Sequence, residues 1–187
     1  MTPHRAKNPP AASRLKRAID IFVSLTVLIV VLPSTLALLL MLRRNRRGAI
    51  LDPQNVVGMG GRTFRKWSWS KSKEGEANRS ERILHNELSL VPTLINVLAG
   101  DMALVGPTPR TSQELASLAA ITSDYRLILT ARPGAIGVGA AQYRMTGRVA
   151  QLRRELEYVE NWRLATDLAV ISHRALTFPF KRDDFIV

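Results

Sequence analysis

One long apolar run and a mixed, periodic body divide this chain. From Ile21 to Leu42 nearly every position is apolar, interrupted only by Ser24, Thr26 and the group Pro33-Ser34-Thr35. A straight helix of about 22 residues rises far enough to cross a hydrocarbon core of ~30 Å, so length alone predicts a membrane helix. Pro33 falls near its middle and removes one backbone donor; Ser34 and Thr35 are placed to satisfy carbonyls freed there. A break at that point leaves two legs of about 12 and 9 residues, each too short to reach the far leaflet. Arg14, Lys16 and Arg17 precede the run, and Arg43, Arg44, Arg46 and Arg47 follow it. A spanning helix shows an excess of bases on its cytoplasmic side, whereas a re-entrant hairpin puts both clusters there. The pattern predicts the hairpin, with a kinked spanning helix as the alternative. The run is longer than the ~7–15 apolar residues of a signal peptide, and no small-x-small site follows it before the arginines.

Beyond the run the periodicities are short. Asp52-Pro53 reads as a turn, and Gly58 to Phe64 as a glycine-rich turn between two extended pieces. Its glycine spacing is not that of a phosphate-binding loop. Lys66 to Trp69 reads as a strand with both tryptophans on one face, turned to lipid headgroups or to the core. Lys71 to Arg82 is polar and reads as a loop. Asn86 or Ser89 can cap a helix that runs through Pro92 to Leu98 and stops at Gly100. Met102 to Val105 predicts a short buried strand, and Gln113 to Thr130 a helical region in two pieces broken near Thr122-Ser123. The glycines at 134, 137 and 139 predict a loop. From Val149 to Ser172 the apolar spacing is helical, with a bend near Asn161.

Composition narrows the chemistry. The 187 residues suit one domain plus a membrane element, and the absence of cysteine removes disulfides, thiolate metal sites and thiol nucleophiles. The three histidines, His4, His85 and His173, are too scattered for a local metal motif. A net charge of +12 calls for an anionic partner. Because the bases bracket the apolar run, anionic lipid is the better match, at roughly 1 kcal/mol per base. A basic nucleic-acid-binding protein is the weaker reading, since no aromatics interleave with the bases as a stacking platform requires.

The block LSLVPTLINVLAGDMALVGPTPR, Leu88 to Arg110, resembles the signature of the bacterial sugar transferases, the monotopic polyprenyl-phosphate phosphoglycosyl transferases. RLKRAID, VGMGGRTFRKW, ARPGAIGVGAAQYRMTGR and LEYVENWRLATDL fall in that family's order, so the resemblance covers about Lys16 to Leu176. It implies an enzyme on the cytoplasmic leaflet of the bacterial inner membrane. Such an enzyme moves a sugar-1-phosphate from a nucleotide sugar to polyprenyl phosphate, with an aspartate as nucleophile and a glutamate supporting Mg²⁺.

This chain departs from the pattern where the family is charged. Ser89 and Leu90 stand at the Asp-Glu pair, and Thr108, Ser68 and Val56 stand where the family carries arginines. Glycines, prolines and apolar positions are kept. No catalytic residue is therefore assigned, although Glu87 is a candidate substitute: on a helix it would share a face with Leu90. Arg132, Arg148 and Arg110 are candidate phosphate ligands, Asp101 a candidate metal ligand or cap, and Asp167 a candidate orienting group. Pro33, Ser34, Arg43 and Arg44 are the candidate membrane residues.

The expected fold is α/β or α+β and helix-rich: a basic tail (1–13), a membrane-embedded re-entrant helix (14–47) and a small cytoplasmic phosphoglycosyl-transferase-like domain (48–187). The expected role is in exopolysaccharide or cell-envelope glycan assembly, as a catalytically impaired or accessory member that forms a homodimer or pairs with an active relative. An active transferase, using Mg²⁺ and substitutes such as Glu87, is the alternative.

Overall fold

The computed structural model describes residues 10, 13–45, 50–70, 88–138 and 140–177. The tail before Pro10 and the polar stretch Lys71 to Arg82 lie outside them. The chain forms a helix-rich body with two small sheets and one long apolar helix.

Helix α1 runs from Arg14 to Asn45 and contains Pro33. Ser13 caps its start by accepting from the Lys16 backbone N–H. Helical geometry continues through the proline, so the two legs expected from sequence are joined rather than separated by a loop. The Ser34 and Thr35 hydroxyls both donate to the Val31 carbonyl, at 2.9 and 2.8 Å, and hold the turn that the proline weakens.

The two faces of α1 differ. Lys16, Asp20, Ser24 and Thr35 are buried. Leu28 and Val31, before the proline, and Leu38 and Leu39, after it, pack on the buried cluster Trp69, Leu88 and Val91, which Ile50 also meets. These positions recur every three or four residues and make one stripe. Phe22, Leu25, Ile29, Leu32, Leu36 and Leu40 form an exposed apolar stripe on the other side.

Strands β1 (Leu51–Val57) and β2 (Thr63–Trp69) form an antiparallel hairpin with Leu51 opposite Trp69 and Val57 opposite Thr63. Its tip contains Gly60 and Gly61 at φ 70° and 80°, a conformation that favours glycine. The turn expected at Asp52-Pro53 is instead part of β1, with Pro53 opposite Trp67. In a two-stranded sheet β1 is an edge, where a proline's missing donor is tolerated.

Helix α2 (Val91–Ala99) has Pro92 in its first turn and ends at Gly100, whose φ of 98° makes the left-handed cap. The Asn96 side chain accepts from the Trp67 N–H and donates to the Arg65 carbonyl, tying α2 to β2. Strand β3 (Ala103–Gly106) is wholly buried and pairs in parallel with β4 (Gly134–Gly137). Gly134 and Gly137, expected in a loop, are thus in a strand, while Gly139 lies outside the described residues. A Cβ on Gly134 would lie 2.2 Å from the Gly106 nitrogen, so the glycine serves close strand approach rather than a turn.

Helices α3 (Ser112–Ala119) and α4 (Tyr125–Ile128) are the expected two pieces, and Thr111 with Glu114 forms a capping box at the start of α3. Helix α5 (Ala140–Glu160), interrupted at Gly147, begins earlier than the apolar spacing predicts, and α6 (Leu164–Thr177) follows the expected bend. Leu115, Leu118, Ile128 and Leu152 form one core cluster; Val105, Leu127, Ala131, Tyr158 and Val159 form another.

Candidate functional site

The positions that the resemblance gives to the catalytic acids lie where the chain turns into α2. Leu88 is buried and its carbonyl accepts from the Trp69 indole N–H at 2.8 Å. Ser89 and Leu90 follow, both half-buried. Leu90 is the N-cap and offers no side-chain acceptor; Thr93 returns a hydroxyl to its carbonyl at 2.7 Å. The turn is fixed by backbone, proline and indole contacts, with neutral side chains at both positions.

Glu87 lies outside the described residues. Asp101 is exposed at the other end of α2, ~13 Å away by helical rise. Among the described residues no group of three or more His, Asp or Glu stands together as a metal cage would require. A serine hydroxyl and a leucine do not fit a hard divalent cation, which takes carboxylate and carbonyl oxygens.

The three candidate phosphate arginines are dispersed. Arg110 is buried, and its Nη1 donates to Glu155 Oε2 at 2.5 Å and to the Thr108 carbonyl at 3.3 Å. Glu155 is fully buried, and its Oε1 accepts from the Thr108 N–H and Gln151 Nε2. Gln151 also donates to the Thr108 hydroxyl at 2.9 Å. Thr108 thus completes an internal polar network, with Arg110 as the counterion of a carboxylate that has no water to solvate it. Arg148 is exposed on α5. Arg132 is half-buried, and its Nε donates to the Gly100 carbonyl at 3.0 Å. Ser68 donates to the Asp52 carbonyl across the hairpin, and Val56 is in the core. Of the membrane residues, Pro33, Ser34 and Arg43 are exposed on α1, while the Arg44 side chain lies outside those described.

Asp167, expected only as an orienting group, is the centre of a buried network. It accepts from Lys16 Nζ at 2.5 Å, Tyr158 OH at 2.7 Å and Trp162 Nε1 at 3.0 Å. Lys16 also donates to the Val105 carbonyl and lies 3.8 Å from Asp20. Burial and the adjacent carboxylate push the Tyr158 phenol well above its ordinary range, so it stays a donor. This network clamps the start of α1 to β3, α5 and α6. Lys16 and Asp20, four apart at the edge of an apolar helix, were the one visible signal. On β2, burial pushes the Lys66 ammonium below its ordinary range, and Glu114 offsets part of that effect.

A long apolar helix clamped to a small mixed body, with a glycine-capped helix that follows the signature turn, is the scaffold that carries the family pattern. The chain belongs to the bacterial sugar transferase family, whose model matches residues 11–180. It is 24% identical to the exopolysaccharide production protein ExoY of Sinorhizobium fredii, over 87% of this chain and 84% of that protein. It is also 24% identical to the UDP-glucose:undecaprenyl-phosphate glucose-1-phosphate transferase of Escherichia coli, over 84% of this chain and 38% of that protein. The undecaprenyl-phosphate galactose phosphotransferase of Salmonella typhimurium is 27% identical, over 84% of this chain and 39% of that protein. The chain therefore spans most of the first relative and less than half of the other two.

Proposed function

We propose that this protein serves exopolysaccharide or cell-envelope glycan assembly as a catalytically impaired or accessory sugar transferase, held on the cytoplasmic face of the bacterial inner membrane. The observation that carries the reading is the neutral pair Ser89 and Leu90 at the family's acid positions, on a turn held by the Trp69 indole and by Pro92. Transfer of a phosphosugar needs a positioned carboxylate nucleophile and cationic groups on the phosphates. Here the nucleophile position is a hydroxyl, and a threonine stands in place of the next arginine.

The membrane part of the reading is a monotopic, re-entrant α1. Lys16 at its start bonds to Asp167, and Ile50 beyond its end packs on Trp69, so both ends meet the same body. Helix α1 is long and apolar enough to cross a bilayer by length and composition. Attachment of both ends to one body, and of residues on both sides of Pro33 to one cluster, favours a bent helix that enters and returns. Its outer stripe of Phe22, Leu25, Ile29 and Leu32 is then covered by hydrocarbon. The proposed partners are anionic lipid, polyprenyl phosphate, nucleotide sugar, and an active family member or a second copy of the chain.

The double substitution Ser89→Asp with Leu90→Glu tests the catalytic part. Purified protein in vesicles, given polyprenyl phosphate, Mg²⁺ and a panel of UDP-sugars, is assayed for release of nucleoside monophosphate. Release by the double variant above the wild-type level supports an impaired pocket that persists. Equal turnover by both proteins contradicts it.

A further inference from the structure

Two arginines converge where the start of α1 meets the end of α2. The Arg17 guanidinium donates from Nη1 to the Val97 carbonyl at 2.7 Å and from Nη2 to the Leu98 carbonyl at 3.2 Å. Arg132 reaches the same helix end through Nε on the Gly100 carbonyl. Both arginines line an open cleft with Ser13, Lys16, Asp20 and Tyr158, whose enclosed part is about 10 Å³, room for one water. Asp167 pairs with Lys16, which leaves Asp20, 3.8 Å from Lys16, as the carboxylate that shares the cleft lined by the two arginines.

Two guanidiniums that share a cleft with one carboxylate leave positive charge at its mouth, and planar guanidiniums match the oxygens of a phosphate group. Position selects the source. Arg17 lies one helical turn before Ile21, where the apolar run starts, or ~6 Å by helical rise. The cleft therefore lies at the depth of lipid headgroups. We infer that Arg17 and Arg132 form a binding site for the phosphate of a membrane phospholipid, distinct from the Ser89-Leu90 turn at the other end of α2. The site rests on the membrane-bound reading above and is independent of whether transfer occurs.

Native mass spectrometry of the full chain in detergent micelles, titrated with phosphatidylglycerol, tests the site. Arg132→Gln is expected to weaken retention of one lipid by about tenfold, the loss of one charge-assisted contact of ~1.5 kcal/mol. Arg14→Gln, which removes an exposed base at the same edge, is expected to retain the lipid as wild type does. Arg132→Lys, which keeps the charge without the fork, is expected to fall between, and its melting temperature reports folding. A parallel titration with inorganic phosphate separates the sources: phosphate that binds in an Arg132-dependent way while the lipid does not would overturn the lipid assignment. Equal lipid retention by wild type and Arg132→Gln, or equal losses in Arg132→Gln and Arg14→Gln, would overturn the site itself. Co-flotation of the wild type with vesicles checks the membrane-bound reading separately.

Discussion

Replacing Asp167 with asparagine should be among the most damaging single changes at a residue that touches no substrate. The wild-type carboxylate is 2% exposed and accepts three hydrogen bonds, from Lys16, Tyr158 and Trp162. Asparagine keeps one acceptor oxygen, so one neutral donor can still be satisfied. The amide cannot neutralise Lys16, itself 5% exposed, whose only other anionic neighbour among the described residues is Asp20 at 3.8 Å. Removing one partner of a buried pair costs about 3–5 kcal/mol, mostly from the charge left behind. At ~2–4 °C per kcal/mol for a chain of this size, the melting temperature should fall by about 6–20 °C. Thermal unfolding in detergent, followed by near-UV circular dichroism, measures this directly. The double variant Lys16→Met with Asp167→Asn should recover part of the loss, because the ammonium left behind by Asp167→Asn is removed; the buried Asp20 loses its Lys16 partner and limits the recovery. A drop under ~3 °C for Asp167→Asn, or additive losses in the double variant, would refute the view that this ion pair anchors α1.

Gly134→Ala should prevent folding or lower the melting temperature severely, since its Cβ would lie 2.2 Å from the Gly106 nitrogen and 2.6 Å from the Ile136 oxygen; near-wild-type melting would contradict the close parallel pairing of β3 and β4. Thr111→Ala removes the capping box and should cost about 1 kcal/mol, read as a few degrees of melting temperature. Lys66→Met should be more stable than wild type at pH 7, where the folded wild type carries a charge that burial disfavours. In the window below the ordinary lysine value of 10.5 the folded lysine loses its proton before the unfolded one does, so the wild type gains stability as pH rises and the advantage shrinks. Melting temperatures of both proteins across that window check the sign, and a constant difference would contradict it.

Local signals were legible where one residue type has one structural use. Gly100 after an apolar helical stretch stops α2, and the Thr122-Ser123 break separates α3 from α4. The glycines at 60 and 61 turn the hairpin. Signals failed where the same residue has two uses. Pro53 punctuates loops in general, yet an edge strand accepts it, and Gly134 serves strand contact as well as turns. Trp69, readable from sequence as an interfacial or a core residue, is core, with its indole bonded to the Leu88 carbonyl. Long-range pairing was not legible at all: Lys16 and Asp167 are 151 positions apart, and Arg110 and Glu155 are 45 apart. The candidate acid positions were visible only as departures from a family pattern, because neutral side chains on an ordinary helix start carry no chemical signal of their own.

A turnover assay on the unaltered full chain bears most directly on whether Ser89 and Leu90 have cost the protein its transferase chemistry. In vesicles supplied with polyprenyl phosphate, Mg²⁺ and UDP-sugars, nucleoside monophosphate should stay at the level of protein-free vesicles. Sustained, metal-dependent release that disappears in Glu87→Gln would contradict the account and place a working carboxylate beside Ser89.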